Sequence, residues 1–160
     1  PEIIDVQGRM GDMEMDLILG ASSSSEAILT LTDLKTDYIF LEALSQGRKA
    51  KPIARAVNRR LAFLKWRGQL HSITTDNGPV FSAFRSIERG LGVPVYFARP
   101  YRSTDKPHIE HANALIRQYL PKHSSFDGLT KEDLKEIESR LNNRLRKKLG
   151  YRIFYLNLSL

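Results

Sequence analysis

The sequence predicts an α/β domain built on a mixed five-stranded sheet flanked by helices. Three features lead there. Strand-like runs separated by short turns crowd the first third of the chain, helical and strand periodicities then alternate, and two helical stretches close it. The 160 residues amount to one domain, and 41% apolar residues suffice for a core. No internal repeat or linker divides the chain, because the polar run Ser22–Ser25 is too short for one. Residues 1–160 are therefore read as a single domain.

The elements follow in order. Residues 1–11 have no clear periodicity and form a leading segment. Met13–Gly20 is apolar and strand-like, and Gly20 with Ser22–Ser25 makes a turn. Ala27–Thr32 is a second strand, Asp33–Asp37 a turn and Tyr38–Leu44 a third strand, so these three form an antiparallel meander. Ile53, Val57, Leu61 and Leu64 recur at helical spacing, which predicts a helix over Lys51–Trp66 with Pro52 in its first turn. Gln69–Thr75 is a short strand ending in the turn Asp76-Asn77-Gly78. Val80–Arg89 reads as a helix closed by Gly90 and Gly92, and Val93–Ala98 as the fifth strand. After a polar loop, Pro107–Leu120 is helical and Pro121 stops it. Leu129–Leu149 is a long basic helix with Thr130 as N-cap, Asp133 three residues on, and Gly150 at its end. The ribonuclease H-like fold has this order of elements.

A net charge of +7 and a sequence pI near 9.8 favour a polyanionic partner, nucleic acid first. The absence of cysteine excludes disulfides and thiolate metal sites and suits a reducing cytosol. No apolar run approaches the roughly 20 residues of a membrane span, and no signal peptide is visible. The chain opens at Pro1 without methionine, so a fragment of a longer protein is expected.

Three carboxylates stand out. Asp16 lies inside Glu14-Met15-Asp16-Leu17-Ile18, a strand interior from which aspartate is usually depleted. Alternation puts Glu14, Asp16 and Ile18 on one face. Asp76 ends its strand, and ligands of open α/β sheets gather at strand carboxyl ends. Glu110, Asn113 and Arg117 form a polar stripe beside the apolar stripe Ile109, Ala112, Ile116 and Leu120. Taken singly, each has an ordinary reading: a solvent-facing edge charge, a turn aspartate, an exposed helical glutamate. Together, two strand carboxylates and one helical carboxylate are what a pair of hard cations needs for two-metal phosphoryl transfer.

Glu14-Met15-Asp16-Leu17-Ile18, Thr75-Asp76-Asn77-Gly78 and Glu110-His111-Ala112-Asn113 resemble the three blocks of DDE transposases. Thirty-three residues separate Asp76 from Glu110, which resembles the insertion-sequence-thirty family and its relatives in the retroviral-integrase superfamily. Leu115–Lys122, Leu141-Asn142-Asn143-Arg144 and Arg146–Gly150 extend the resemblance in order along nearly the whole chain. Met13 and Met15 stand where the family carries Trp and Gly. Val80 replaces an acidic residue, Leu145 a proline, and Ile153-Phe154 a Thr-Pro pair.

The resemblance implies a ribonuclease H-like catalytic core with Asp16, Asp76 and Glu110 binding two Mg²⁺ or Mn²⁺ ions. It implies metal-dependent nicking at transposon ends, followed by transfer of the free 3′-hydroxyl into target DNA. Arg117 would contact phosphate beside the site. The resemblance also implies a homo-oligomer, a cytoplasmic protein at the bacterial nucleoid when acting, no membrane partner, and a separate N-terminal DNA-binding module. Asn77, His111 and Asn113 are further candidates for contacts with DNA or metal-bound water. Arg144, Lys147 and Lys148 are candidates for tracking the phosphate backbone, with Arg48, Lys49 and Lys51 as a second basic patch. His108 and His111 have the spacing of a zinc pair but no third nitrogen or sulfur ligand. Two rival readings stand beside this one. One is a ribonuclease H-like nuclease using Glu14 as a fourth carboxylate, and the other is a decayed core that binds DNA or a partner without chemistry.

Overall fold

The computed structural model describes residues 9–22, 26–99 and 107–145. Five strands form one sheet: β1 (Asp12–Leu19), β2 (Ala27–Asp33), β3 (Ile39–Leu44), β4 (Ser72–Thr75) and β5 (Val95–Phe97), in the order β3-β2-β1-β4-β5. β1, β2 and β3 make the antiparallel meander, whereas β4 and β5 run parallel to β1. The sheet is mixed and five-stranded, as the sequence leads one to expect.

Helices α1 (Ala50–Trp66) and α2 (Phe84–Leu91) cover one face, and α3 (Pro107–Ile116) and α4 (Lys131–Asn142) cover the other. Met13, Met15, Leu29 and Leu31 point to the first pair and Ile18, Ile28, Ile39 and Leu41 to the second. β2 is buried along its whole length, so its apolar residues fill both cores. Met13 and Met15 are fully buried. Two unbranched side chains there fill the space between sheet and helices by adjusting their torsions. Val80, in place of an acidic residue, packs against the same core.

The edge of the sheet where β1 begins and β2 ends is tied by buried carboxylates. Asp33 closes the β2–β3 turn by accepting from the Lys35 and Thr36 N–H groups and the Thr36 hydroxyl, and its other oxygen accepts the Gly11 N–H. Gly11 has φ +100°, and a Cβ there would lie 1.7 Å from the Gln69 carbonyl oxygen, so only glycine fits.

Several boundaries differ from the sequence reading. β4 starts at Ser72, because Gly68 and Gln69 still close the turn that leaves α1. The expected helix over Val80–Arg89 divides into a 3₁₀ turn, Pro79–Phe81, and α2, which Gly92 caps in the left-handed region. α3 ends at Ile116, and Gln118 and Tyr119 tighten into three-residue turns before Pro121. α4 stops at Asn142 instead of running to Leu149, with Asn143 as its C-cap. Residues 146–149 lie outside the described residues. The Thr130–Asp133 capping box is formed in both directions.

Candidate active site

β1 and β4 lie side by side and parallel, with Glu14 opposite Thr74. Asp16 lies two residues beyond Glu14 on β1, and Asp76 lies two residues beyond Thr74, just past the end of β4. Asp16 occupies the last half of β1, and Asp76 follows the last residue of β4. Asp16 is half-buried and Asp76 exposed. The position is the carboxyl edge of the parallel part of the sheet, where ligands of such sheets bind.

α3 crosses this edge, fastened to β1 along one stripe. Near its start the Ile109 N–H donates to Glu14 Oε2 at 2.6 Å. One turn later Asn113 Nδ2 donates to Asp16 Oδ2 at 2.9 Å, while Thr30 Oγ1 donates to Asn113 Oδ1. Just past the helix, Arg117 Nη2 donates to the Leu19 carbonyl at 3.0 Å. Residues 109, 113 and 117 are four apart and so share one face. Asp16 Oδ1 also accepts the Leu17 N–H at 2.8 Å, so both of its oxygens are oriented.

Glu110 follows Ile109, stands one turn before Asn113, and is exposed. The sequence reading names Asp16, Asp76 and Glu110 as the metal-holding set. Among the described residues no three carboxylate or imidazole side chains stand close enough to hold an ion. The exposed Glu110 lies at the side of α3 rather than under it. The donor set still fits a hard cation: it is all oxygen, Asp16 is oriented by hydrogen bonds, and Asp76 and Glu110 are exposed. The zinc reading of the two histidines is not assembled, because His108 Nδ1 binds Asp37 Oδ1 at 2.8 Å.

The remaining candidates separate clearly. His111 and Asn77 are exposed. Arg117 instead spends its guanidinium on backbone carbonyls of Leu19, Leu120 and Pro121, and burial lowers its pKa from the usual arginine value. Arg144 is half-buried, donates to the Leu141 carbonyl and feels Asp37, with its pKa lowered by burial. Lys147 and Lys148 lie outside the described residues. Sequence reasoning missed the role of Glu14 as the acceptor for α3. Its signal was an acidic residue two positions before Asp16, on the strand face that meets the helix.

No family model matches the chain. The transposase for insertion sequence element IS4351 of Bacteroides fragilis is 40% identical over 151 residues, covering 94% of this chain and 45% of the relative. Transposase InsI for insertion sequence element IS30A of Escherichia coli K12 is 32% identical, covering 93% of this chain and 38% of that one. The chain is thus similar, over nearly all of its own length, to insertion-sequence transposases. It spans less than half the length of the curated relatives it matches.

Two solved structures share its fold. One is the simian T-cell lymphotropic virus intasome in complex with a PP2A regulatory subunit. It matches with TM-score 0.70 and 16% identity, over 95% of this chain and 57% of that one. The other is the catalytic core domain of BIV integrase, with TM-score 0.60 and 18% identity over 82% of each chain. The fold is ribonuclease H-like, in the form that integrase cores take.

Proposed function

We propose that this chain is a catalytic core that nicks DNA at transposon ends and transfers the freed 3′-hydroxyl to target DNA. The observation that supports the reading is the parallel pairing of β1, which bears Asp16, with β4, which Asp76 follows, together with the Asn113 amide that fastens α3 to Asp16. Asp16, Asp76 and Glu110 would hold Mg²⁺ or Mn²⁺, two ions in the active complex. When bound, these ions supply Lewis acidity and charge neutralisation at the phosphoryl group.

The chain's own groups prepare that chemistry. The Leu17 N–H and the Asn113 amide fix the two oxygens of Asp16. Asp76 and Asn77 follow β4, and Glu110 and His111 are exposed on α3. Asn77 and His111 would contact DNA, and Asn113 would act through Asp16. Lys147 and Lys148 would track the phosphate backbone, whose counterions their charges displace. Joining two ends to one target requires a homodimer or larger assembly. No helix among the described residues is long and apolar enough to cross a membrane, and the working place proposed is the bacterial cytoplasm, at the nucleoid.

Titrating Mg²⁺ or Mn²⁺ into a mixture of the chain and supercoiled plasmid tests the reading. Open circles should accumulate with metal, and Asp76→Asn should abolish them. Nicking that Asp76→Asn leaves intact would leave a DNA-binding core without this chemistry.

A further inference from the structure

Glu14 is the least expected charge in the molecule. It sits on the central strand β1, 3% exposed, on the face that meets α3 and α4. A carboxylate taken out of water needs hydrogen-bond donors or a positive field. Glu14 has both, because Oε2 accepts the Ile109 N–H in the first turn of α3, where unpaired N–H groups and the helix dipole attract an anion. Pro107 brings no N–H of its own to that turn.

A second anchor acts on the same turn. His108 binds Asp37, which holds φ +55° in the β2–β3 turn, a conformation aspartate tolerates better than most residues. The two anchored residues, His108 and Ile109, immediately precede Glu110. The exposed glutamate is thus borne on a turn gripped from β1 and from the β2–β3 turn. β1 also supplies Asp16, two residues beyond Glu14 on the same face.

We infer that Glu14 is a positioning residue: its buried carboxylate sets the height and rotation of α3 on β1, and so places Glu110 relative to Asp16. It is not a fourth metal ligand, since it lies beneath the helix with Oε2 occupied. The inference rests on the proposed function for its consequence, though not for its geometry. It also separates this site from a nuclease that would use Glu14 for catalysis.

The test compares Glu14→Gln with Glu14→Leu in the complete chain. Glutamine keeps a carbonyl oxygen for the Ile109 N–H and removes the charge. Leucine fills the space without an acceptor. Metal-dependent plasmid nicking should be close to wild type in Glu14→Gln. It should fall on the order of 10- to 100-fold in Glu14→Leu, the scale of loss when a reacting group is displaced by about 1 Å. Amide hydrogen exchange at Ile109 and Glu110 should follow the same order, slow in wild type and Glu14→Gln and faster in Glu14→Leu.

Glu14→Gln as inactive as Asp76→Asn would overturn the inference and make Glu14 a ligand. Full activity with unchanged exchange in Glu14→Leu would overturn it too. A wild-type chain that does not nick refutes the proposed function alone. The exchange rates then decide whether Glu14 places the turn.

Discussion

At the scale of single residues, Arg117 shows how a sequence position and a structural task diverge. Seven residues after Glu110, it has the place of a phosphate contact, but its guanidinium bridges the end of β1 and the turn after α3. Hydrogen bonds from charged donors are worth about 1.5–3 kcal/mol, and this half-buried side chain is partly screened by solvent. Arg117→Ala should therefore lower stability in urea by roughly 1–2 kcal/mol. Arg117→Lys should restore only part of it, because an ammonium cannot span carbonyls on two segments as a planar fork can. A variant as stable as wild type would return Arg117 to the DNA-contact reading. Asn113 behaves differently: its polar stripe was legible from helical spacing, but its partner, Asp16, lies 97 residues away in sequence.

At the scale of elements, α4 seals the open edge of the sheet. Asn142 accepts the Ile39 N–H and donates to the Ile39 carbonyl, both at 2.8 Å, so one side-chain amide imitates a neighbouring strand. Glu138 accepts the Leu41 N–H, two residues along the same edge, and is held by Arg60. An uncovered edge invites pairing with another chain. Asn142→Ala should cost roughly 2–4 kcal/mol, since two buried backbone groups lose their partner. Asn142→Asp, though similar in shape, should cost at least as much by facing an acceptor to the Ile39 carbonyl, and urea unfolding measures both. The capping box gives α4 a pH signature. Hydrogen bonds from the Thr130 N–H and hydroxyl lower the Asp133 pKa from 3.8. The folded-state value is depressed, so this stabilisation is full above 3.8 and disappears as pH falls through the lower folded value. The stability gap between wild type and Asp133→Ala should thus close in acid, and a gap independent of pH would contradict the assignment. Glu138 has the opposite sign. Burial raises its pKa from 4.5, so its contribution is greatest below that value and is lost as pH rises through the folded value.

At the scale of the whole molecule, the sheet was legible because strand alternation and turn residues are local signals. Met13, Met15 and Ile18 announce two buried faces, and Asp76-Asn77-Gly78 announces a strand end. Helix ends were less legible. α4 stops where Asn142 turns inward to Ile39, a tertiary contact that no local pattern carries. Of the candidate site, the three carboxylates could be nominated from residue type and resemblance. The fastening of α3 could not, because Glu14, Thr30 and Asp37 meet it only across the fold. Charge adds a prediction at this scale: with +7 overall, DNA binding should weaken steeply with salt. Alanines at Lys147 and Lys148 should flatten the salt slope by about one unit per lost phosphate contact. Arg144→Ala should instead act on stability, given its bond to the Leu141 carbonyl, and an unchanged slope in the lysine variant would make that stretch a solvated face. The central claim is that Asp16, Asp76 and Glu110 together hold the metal. Paramagnetic broadening of backbone amide signals by Mn²⁺ tests it most directly. Broadening should centre on residues 16, 76 and 110 at weak affinity and vanish in Asp16→Asn/Asp76→Asn; broadening that survives in that variant, or centres elsewhere, would contradict it.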